Sequence, residues 1–216
     1  RFVADGGRAL LISDPDIYGD AAVYMNLVSE PFGIVFNDDY LYDTVHNDEN
    51  FTHFFQGEFR DQAAAMDGLE VAFYGARSIS GDVIPQAISA PTTLSSRRTG
   101  VSGFTTLAIG DNRGWESGGR VLALSDFDVL TEPNVVRHDN QQVVEFVAQF
   151  LADGERNASI ADFPAWLDRD VTLMIGSADG LNADTLLVGA KLQRRLEESG
   201  RRLTLAGAPN TAALEV

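Results

Sequence analysis

The sequence has no cysteine, and Lys191 is its only lysine among 16 basic residues. Without cysteine there are no disulfides, no thiolate metal ligands and no thiol nucleophile. No apolar run approaches the roughly 18 to 20 residues that span a bilayer, so no transmembrane helix is expected. No phosphate-binding G-x-x-x-x-G-K-[ST], no G-x-G-x-x-G after a strand and no G-x-S-x-G elbow occurs. No basic stripe exists to neutralise phosphates, which argues against nucleic acid as a partner and against anionic membranes.

What is abundant is acid. There are 32 acidic residues, Asp well ahead of Glu, for a formal net charge of −16. Such self-repulsion destabilises a compact chain in dilute salt and is screened in molar salt, where the Debye length falls to about 3 Å. An Asp-rich, lysine-poor surface therefore points to a salt-loving source and a high-salt environment. Hydrophobic residues make up 44% of the chain, enough for a sizeable core. Its 216 residues suit one domain, or one with a small appendage. The opening "RFVADGG" reads as a last helical turn with its Gly stop, as if the chain were excised from a longer protein. Sequons at Asn50 and Asn157 are compatible with export but are weak signals.

Along the chain, "RALLIS" reads as a strand and "DAAVYMNLVSEPFG" as a helix ended by Pro31 and Gly33. "IVFNDDYLYD" reads as extended with a turn at Asn37-Asp38-Asp39, and residues 43–62 as a loop. "LEVAFYGA" is a strand, "PTTLSS" a shorter one, and "TTLAIGD" and "GGRVLALSD" two adjacent strands joined by the hairpin loop "NRGWES". Val143, Phe146, Val147, Phe150 and Leu151 form the apolar stripe of a helix over 139–152, with Asp139 or Asn140 as its cap and Gly154 as its stop. After a connector at 155–169, "VTLMIG", a helix over about 182–199 and "RLTLAG" make a β-α-β unit, with Gly200 as the helix stop. Strands alternating with helices predict an α/β fold with a mostly parallel sheet covered by helices on both faces. The division expected is 1–155 as the main domain, and 165–216 as an additional β-α-β unit, incomplete or packed on the same sheet.

"GRALLISDPD" at 7–16 returns as "GRVLALSDFD" at 119–128. If both strands are parallel, Ser13, Asp14 and Asp16 meet Ser125, Asp126 and Asp128 at the carboxyl edge of the sheet, where α/β ligands bind. That set is the candidate ligand site. Asp14, Asp16, Asp126 and Asp128, with Asp20 nearby, are the candidate oxygen ligands for a divalent or monovalent cation. The plainer reading is that each Asp caps the turn after a buried strand. A second candidate gathers His46, Asp48, Glu49, His53, His138 and Asp139, whose imidazoles and carboxylates could bind Zn²⁺ without matching a strong spacing template. A third is "GDNRGWESGG", read as a hairpin loop whose Trp115 could contact a partner.

The segments "RFVADGGRALLISDP", "LVSEPFGIVFNDDYLYD", "VAFYGA", "GGRVLALSDFDVLTEPNV" and "DNQQVVEFVAQFLADG", in that order, resemble uncharacterised domains related to class I glutamine amidotransferases. The resemblance covers roughly residues 1–155. It implies a flavodoxin-like parallel sheet, strands missing upstream of Arg1, and an exported or membrane-attached setting, with the cytoplasm as the alternative. In true amidotransferases the nucleophilic Cys would fall near Asp14, and a His-x-Glu would follow the strand that here ends at Ser125. Neither is present, so glutamine hydrolysis is not expected. The function this implies is a non-catalytic domain binding a small molecule or a protein, with no resident cofactor. The alternatives are a metal-dependent hydrolase using the acidic loops and an intracellular small-molecule enzyme.

Overall fold

The computed structural model describes residues 2–15, 20–110, 118–154, 170–175, 183–198 and 200–207. The chain divides into two compact units, Arg1–Asn157 and Ala158–Val216. The first begins with a turn, in which Gly6 N–H donates to the Val3 carbonyl and Gly7 N–H to the Phe2 carbonyl. Then come β1 (Arg8–Ile12), α1 (Asp20–Ser29), β2 (Ile34–Phe36), β3 (Leu41–Tyr42), β4 (His53–Phe59) and β5 (Ala72–Tyr74). Next are β6 (Ile79–Gly81), β7 (Val83–Ser89), β8 (Leu94–Ser95), β9 (Thr105–Gly110), β10 (Arg120–Leu124) and α2 (Gln141–Ala152).

The main sheet runs β1-β10-β9-β7-β4-β5, with β6 also on β9 and β2 on β6. Only β1 and β10 are parallel; every other pairing in the sheet is antiparallel. This corrects the expected mostly parallel, flavodoxin-like α/β sheet to a mixed, mostly antiparallel and curled one with few helices. The expectation was sound only locally. β10 is buried on both faces: Leu122 and Leu124 join a core that includes Val143, Val147 and Phe150 of α2, while Val121 and Ala123 join a second core with Ile34, Phe36 and Met25 of α1. Such strands read as continuous apolar runs, the pattern of a parallel sheet.

The strands that decide the topology carry residues that disguise them. β4, "HFFQGEF", lies in the stretch read as a loop. Its register slips between Gln56 and Glu58. A Cβ on Gly57 would stand 2.7 Å from the Ala90 Cα, so this crossing admits only glycine. β7, "VIPQAIS", contains a proline yet is flanked by β4 and β9. The ladder to β9 shifts around Pro85–Ile88, a bulge that accommodates the missing N–H. Gln86 is fully buried there, its side-chain carbonyl accepting from the Gln62 and Ala63 N–H groups.

In the second unit β11 (Asp170–Ile175) pairs in parallel with β12 (Arg202–Gly207), and α3 (Ala183–Glu198) lies between them in sequence. Gly200 takes the left-handed conformation at φ 74°. Its N–H donates to the Glu197 carbonyl and the Arg201 N–H to the Leu196 carbonyl, a Schellman cap. Among the described residues no helix is long and apolar enough to cross a membrane.

Candidate functional site

The two echoed loops lie side by side. The parallel register pairs Ile12 with Leu124, and the Ser13 N–H continues it to the Leu124 carbonyl at 3.2 Å. Past the strands, an Asp14 carboxylate oxygen accepts the Phe127 N–H at 2.5 Å, joining one loop to the other. Asp126 is fully buried and accepts the Tyr74 N–H at 2.6 Å and the Asp128 N–H at 2.9 Å. Arg77, also buried, donates to the carbonyls of Asp14 and Asn37. The hydroxyls of Ser13 and Ser125 are buried without a hydrogen-bond partner. Asp128 is exposed and opens a 3-10 turn, Asp128–Leu130. Asp16 and the hairpin loop carrying Trp115 lie outside the described residues.

Burial dominates the charge state of this edge. It pushes the Asp126 carboxyl up to about 7, with Asp14 and Asp128 adding to the rise and the two N–H donors opposing it. Burial also raises Asp14, helped by Asp128 and opposed by the Phe127 N–H and Arg77. Among the described residues no group of three or more His, Asp or Glu side chains is arranged to hold a metal ion.

A backbone need explains this use of side chains. β5 is hydrogen-bonded to β4 on one side only. Along its other edge the N–H groups of alternate residues are taken by side chains: Glu70 by Asp139 at 2.9 Å, Ala72 by Asn140 at 2.9 Å and Tyr74 by Asp126 at 2.6 Å. The buried Ala72 and Tyr74 amides have no strand partner on this edge among the described residues and must be satisfied in some other way; Asn140 and Asp126 stand in for a neighbouring strand, and Asp139 extends the row to the exposed Glu70. Asp139 and Asn140, expected as helix caps, do this instead; Asn140 makes no side-chain cap bond to α2.

The second candidate assembles in part. Asp48, 8% exposed, receives the Arg137 guanidinium at 3.1 Å, His138 Nε2 at 3.3 Å and the Tyr74 hydroxyl at 3.3 Å. Arg137 also reaches Glu49 at 3.8 Å. Glu49 and His138 both have positive φ, 64° and 48°, a conformation that side chains adopt at a cost. His53 stacks edge-on against Tyr74 at 5.1 Å. His46 does not join the cluster through its ring in any observed contact; its N–H donates to Asp43. The network presents Arg137 and His138 at the surface and neutralises a buried carboxylate. Tyr74 joins both candidates, its N–H to Asp126 and its hydroxyl to Asp48. Sequence reasoning missed Tyr74, Arg77 and Arg137. A lone Arg inside "VAFYGARSISG" of so acidic a chain was the available signal for Arg77.

Gly110 and Gly119, at the two ends of the third candidate, serve packing. A Cβ on Gly110 would meet the Phe32 carbonyl at 2.5 Å, and one on Gly119 the Val3 carbonyl at 1.7 Å.

No family model and no curated protein matches the chain. Among solved structures, the chain is similar to the mmIFT52 N-terminal domain, with a TM-score of 0.58 and 15% identity over 73% of this chain and 70% of that one. At that identity the likeness concerns the fold alone. It replaces the resemblance to class I glutamine amidotransferase-like domains, which rested on the order of five segments, none of which takes in β4, β7 or β9, the antiparallel strands at the centre of the sheet. The readings of a salt-loving source and an extracellular setting find no support in this fold or its neighbour.

Proposed function

We propose that the chain is a non-catalytic domain that binds a protein partner. The observation that carries this reading is the use made of the echoed acids. Of the residues best placed for chemistry at the sheet edge, Asp126 gives both carboxylate oxygens to the backbone N–H groups of Tyr74 and Asp128, and Asp14 gives one to that of Phe127. Carboxylates that replace a missing strand hold a scaffold together, and a scaffold acts through its surface.

The test is turnover. Purified protein is assayed with generic ester, phosphomonoester and amide substrates, with and without Mg²⁺, Ca²⁺ or Zn²⁺. No turnover above background is expected. Hydrolysis that is lost in both Asp14→Asn and Asp128→Asn would overturn the reading, because it would place chemistry at this edge.

A further inference from the structure

The sequence of α1, "DAAVYMNLVS", has no charge after its first residue. An ordinary surface helix would turn polar residues to water. Here the inner side chains pack as expected: Ala22 and Ser29 are buried, and Met25 packs on the second core. Asn26 is anchored by Phe36, accepting its N–H at 2.8 Å and donating to its carbonyl at 2.9 Å. The outer side chains are also apolar. Val23 is 59% exposed, Tyr24 67%, Leu27 74% and Val28 53%. They form two i, i+4 rows, 23/27 and 24/28, that lie side by side on the helix surface. A contiguous apolar patch free of charge, with an aromatic in it, has the composition of an interface centre.

The charges around it select the occupant. Glu30, just past α1, and Asp82, against Gly33, are both exposed. A second copy of this chain would bring the same acids and a net charge of −16 against them. A partner with an apolar stripe flanked by cations meets both the patch and its rim. The ten residues of α1 span about 15 Å, the contact length of a helix of about three turns packed across ridges.

We infer that the outward face of α1, formed by Val23, Tyr24, Leu27 and Val28, docks a basic amphipathic helix of a protein partner. This rests on the partner-binding reading above and names its surface.

The probe is a fluorescein-labelled, 18-residue helical peptide of Leu and Lys in a heptad pattern, with the same peptide carrying Glu for Lys as control. Binding to the full chain is followed by anisotropy, and its site by amide hydrogen exchange. The Leu/Lys peptide should bind and slow exchange across residues 20–32, and the Leu/Glu peptide should not bind. Leu27→Glu and Tyr24→Ser, both at exposed positions, should each weaken binding at least tenfold with an unchanged circular dichroism spectrum. Equal binding by wild type and Leu27→Glu would mean bulk charge attraction and would overturn the inference, as would no binding at all. Binding to phosphatidylcholine vesicles that Leu27→Glu removes would assign the face to lipid instead, and would overturn it too. Protection confined to residues 40–51, where Tyr40, Val45 and Phe51 are also exposed, would remove α1 as the site while leaving the partner-binding reading intact. That reading fails separately, on the turnover assay.

Discussion

Replacing Asp126 with Asn should give a loss of stability that shrinks as the pH rises. In the folded chain the Asp126 carboxyl titrates at about 7, against an ordinary value of 3.8, chiefly because it is buried. Between those values the folded state holds a proton that the unfolded state has lost. Stability therefore falls as pH rises through this window and is level above it. Each pH unit corresponds to about 1.4 kcal/mol, with the slope flattening near the folded value, so raising the pH from 5 to 7 removes about 2 kcal/mol from the wild type. The Asn side chain does not titrate. Protonated Asp126 still has a carbonyl oxygen and a hydroxyl oxygen to accept the Tyr74 and Asp128 N–H groups, whereas the Asn amide has a single acceptor, and a buried donor left unpaired costs about 1–3 kcal/mol. At pH 5, Asp126→Asn should thus be less stable than wild type by about 1–3 kcal/mol. By pH 8 that loss should be largely gone. Urea unfolding followed by far-ultraviolet circular dichroism at pH 5, 6, 7 and 8 measures it, and the other carboxylates, present in both chains, cancel to first order. A difference that stays constant across this range, or grows with pH, would refute the argument. It would mean that the two N–H donors hold Asp126 as an anion despite its burial.

Two further substitutions test the unusual strands. Gly57→Ala places a methyl group against the Ala90 backbone at 2.7 Å, so β4 must move off β7; a loss of about 2 kcal/mol or more is expected in the same unfolding assay, and an unchanged midpoint would show that the crossing is looser than described. Asn140→Ala strips the acceptor from the buried Ala72 N–H and a donor from the Tyr74 hydroxyl; about 1–3 kcal/mol should be lost, with faster amide exchange at Ala72, and unaltered exchange there would mean that another group takes over the edge.

Much of the fold was legible wherever one rule governed a segment. β1, α1, α2 and the β-α-β unit from β11 to β12 follow from apolar runs, helical spacing and Gly stops, each readable within its own segment. The hairpin pair β9 and β10 was legible for the same reason. β4, β6 and β7 were not, and they set the sheet's direction. Gly57, Pro85 and Gln86 interrupt the strand pattern, and each is explained only by a partner distant in sequence: Ala90, the bulge against β9, and the amides at Gln62 and Ala63. A period of two cannot be read through two bulges. The parallel inference then followed from β10, buried on both faces, and its half-buried partner β1, which packs on both cores.

The echoed loops show how a correct juxtaposition can rest on a wrong sheet. Ser13, Asp14, Ser125 and Asp126 meet because β1 and β10 are parallel and in register over five residues, which a single parallel pair is enough to achieve. What the echo could not reveal was the free edge of β5 nearby. That edge presents N–H groups at Glu70, Ala72 and Tyr74, and it recruits Asp139, Asn140 and Asp126 as acceptors. The acids cluster there because a curled antiparallel sheet leaves a strand edge beside the end of a parallel pair. A demand of the backbone, met by side chains, thus produces the constellation that elsewhere marks a catalytic edge.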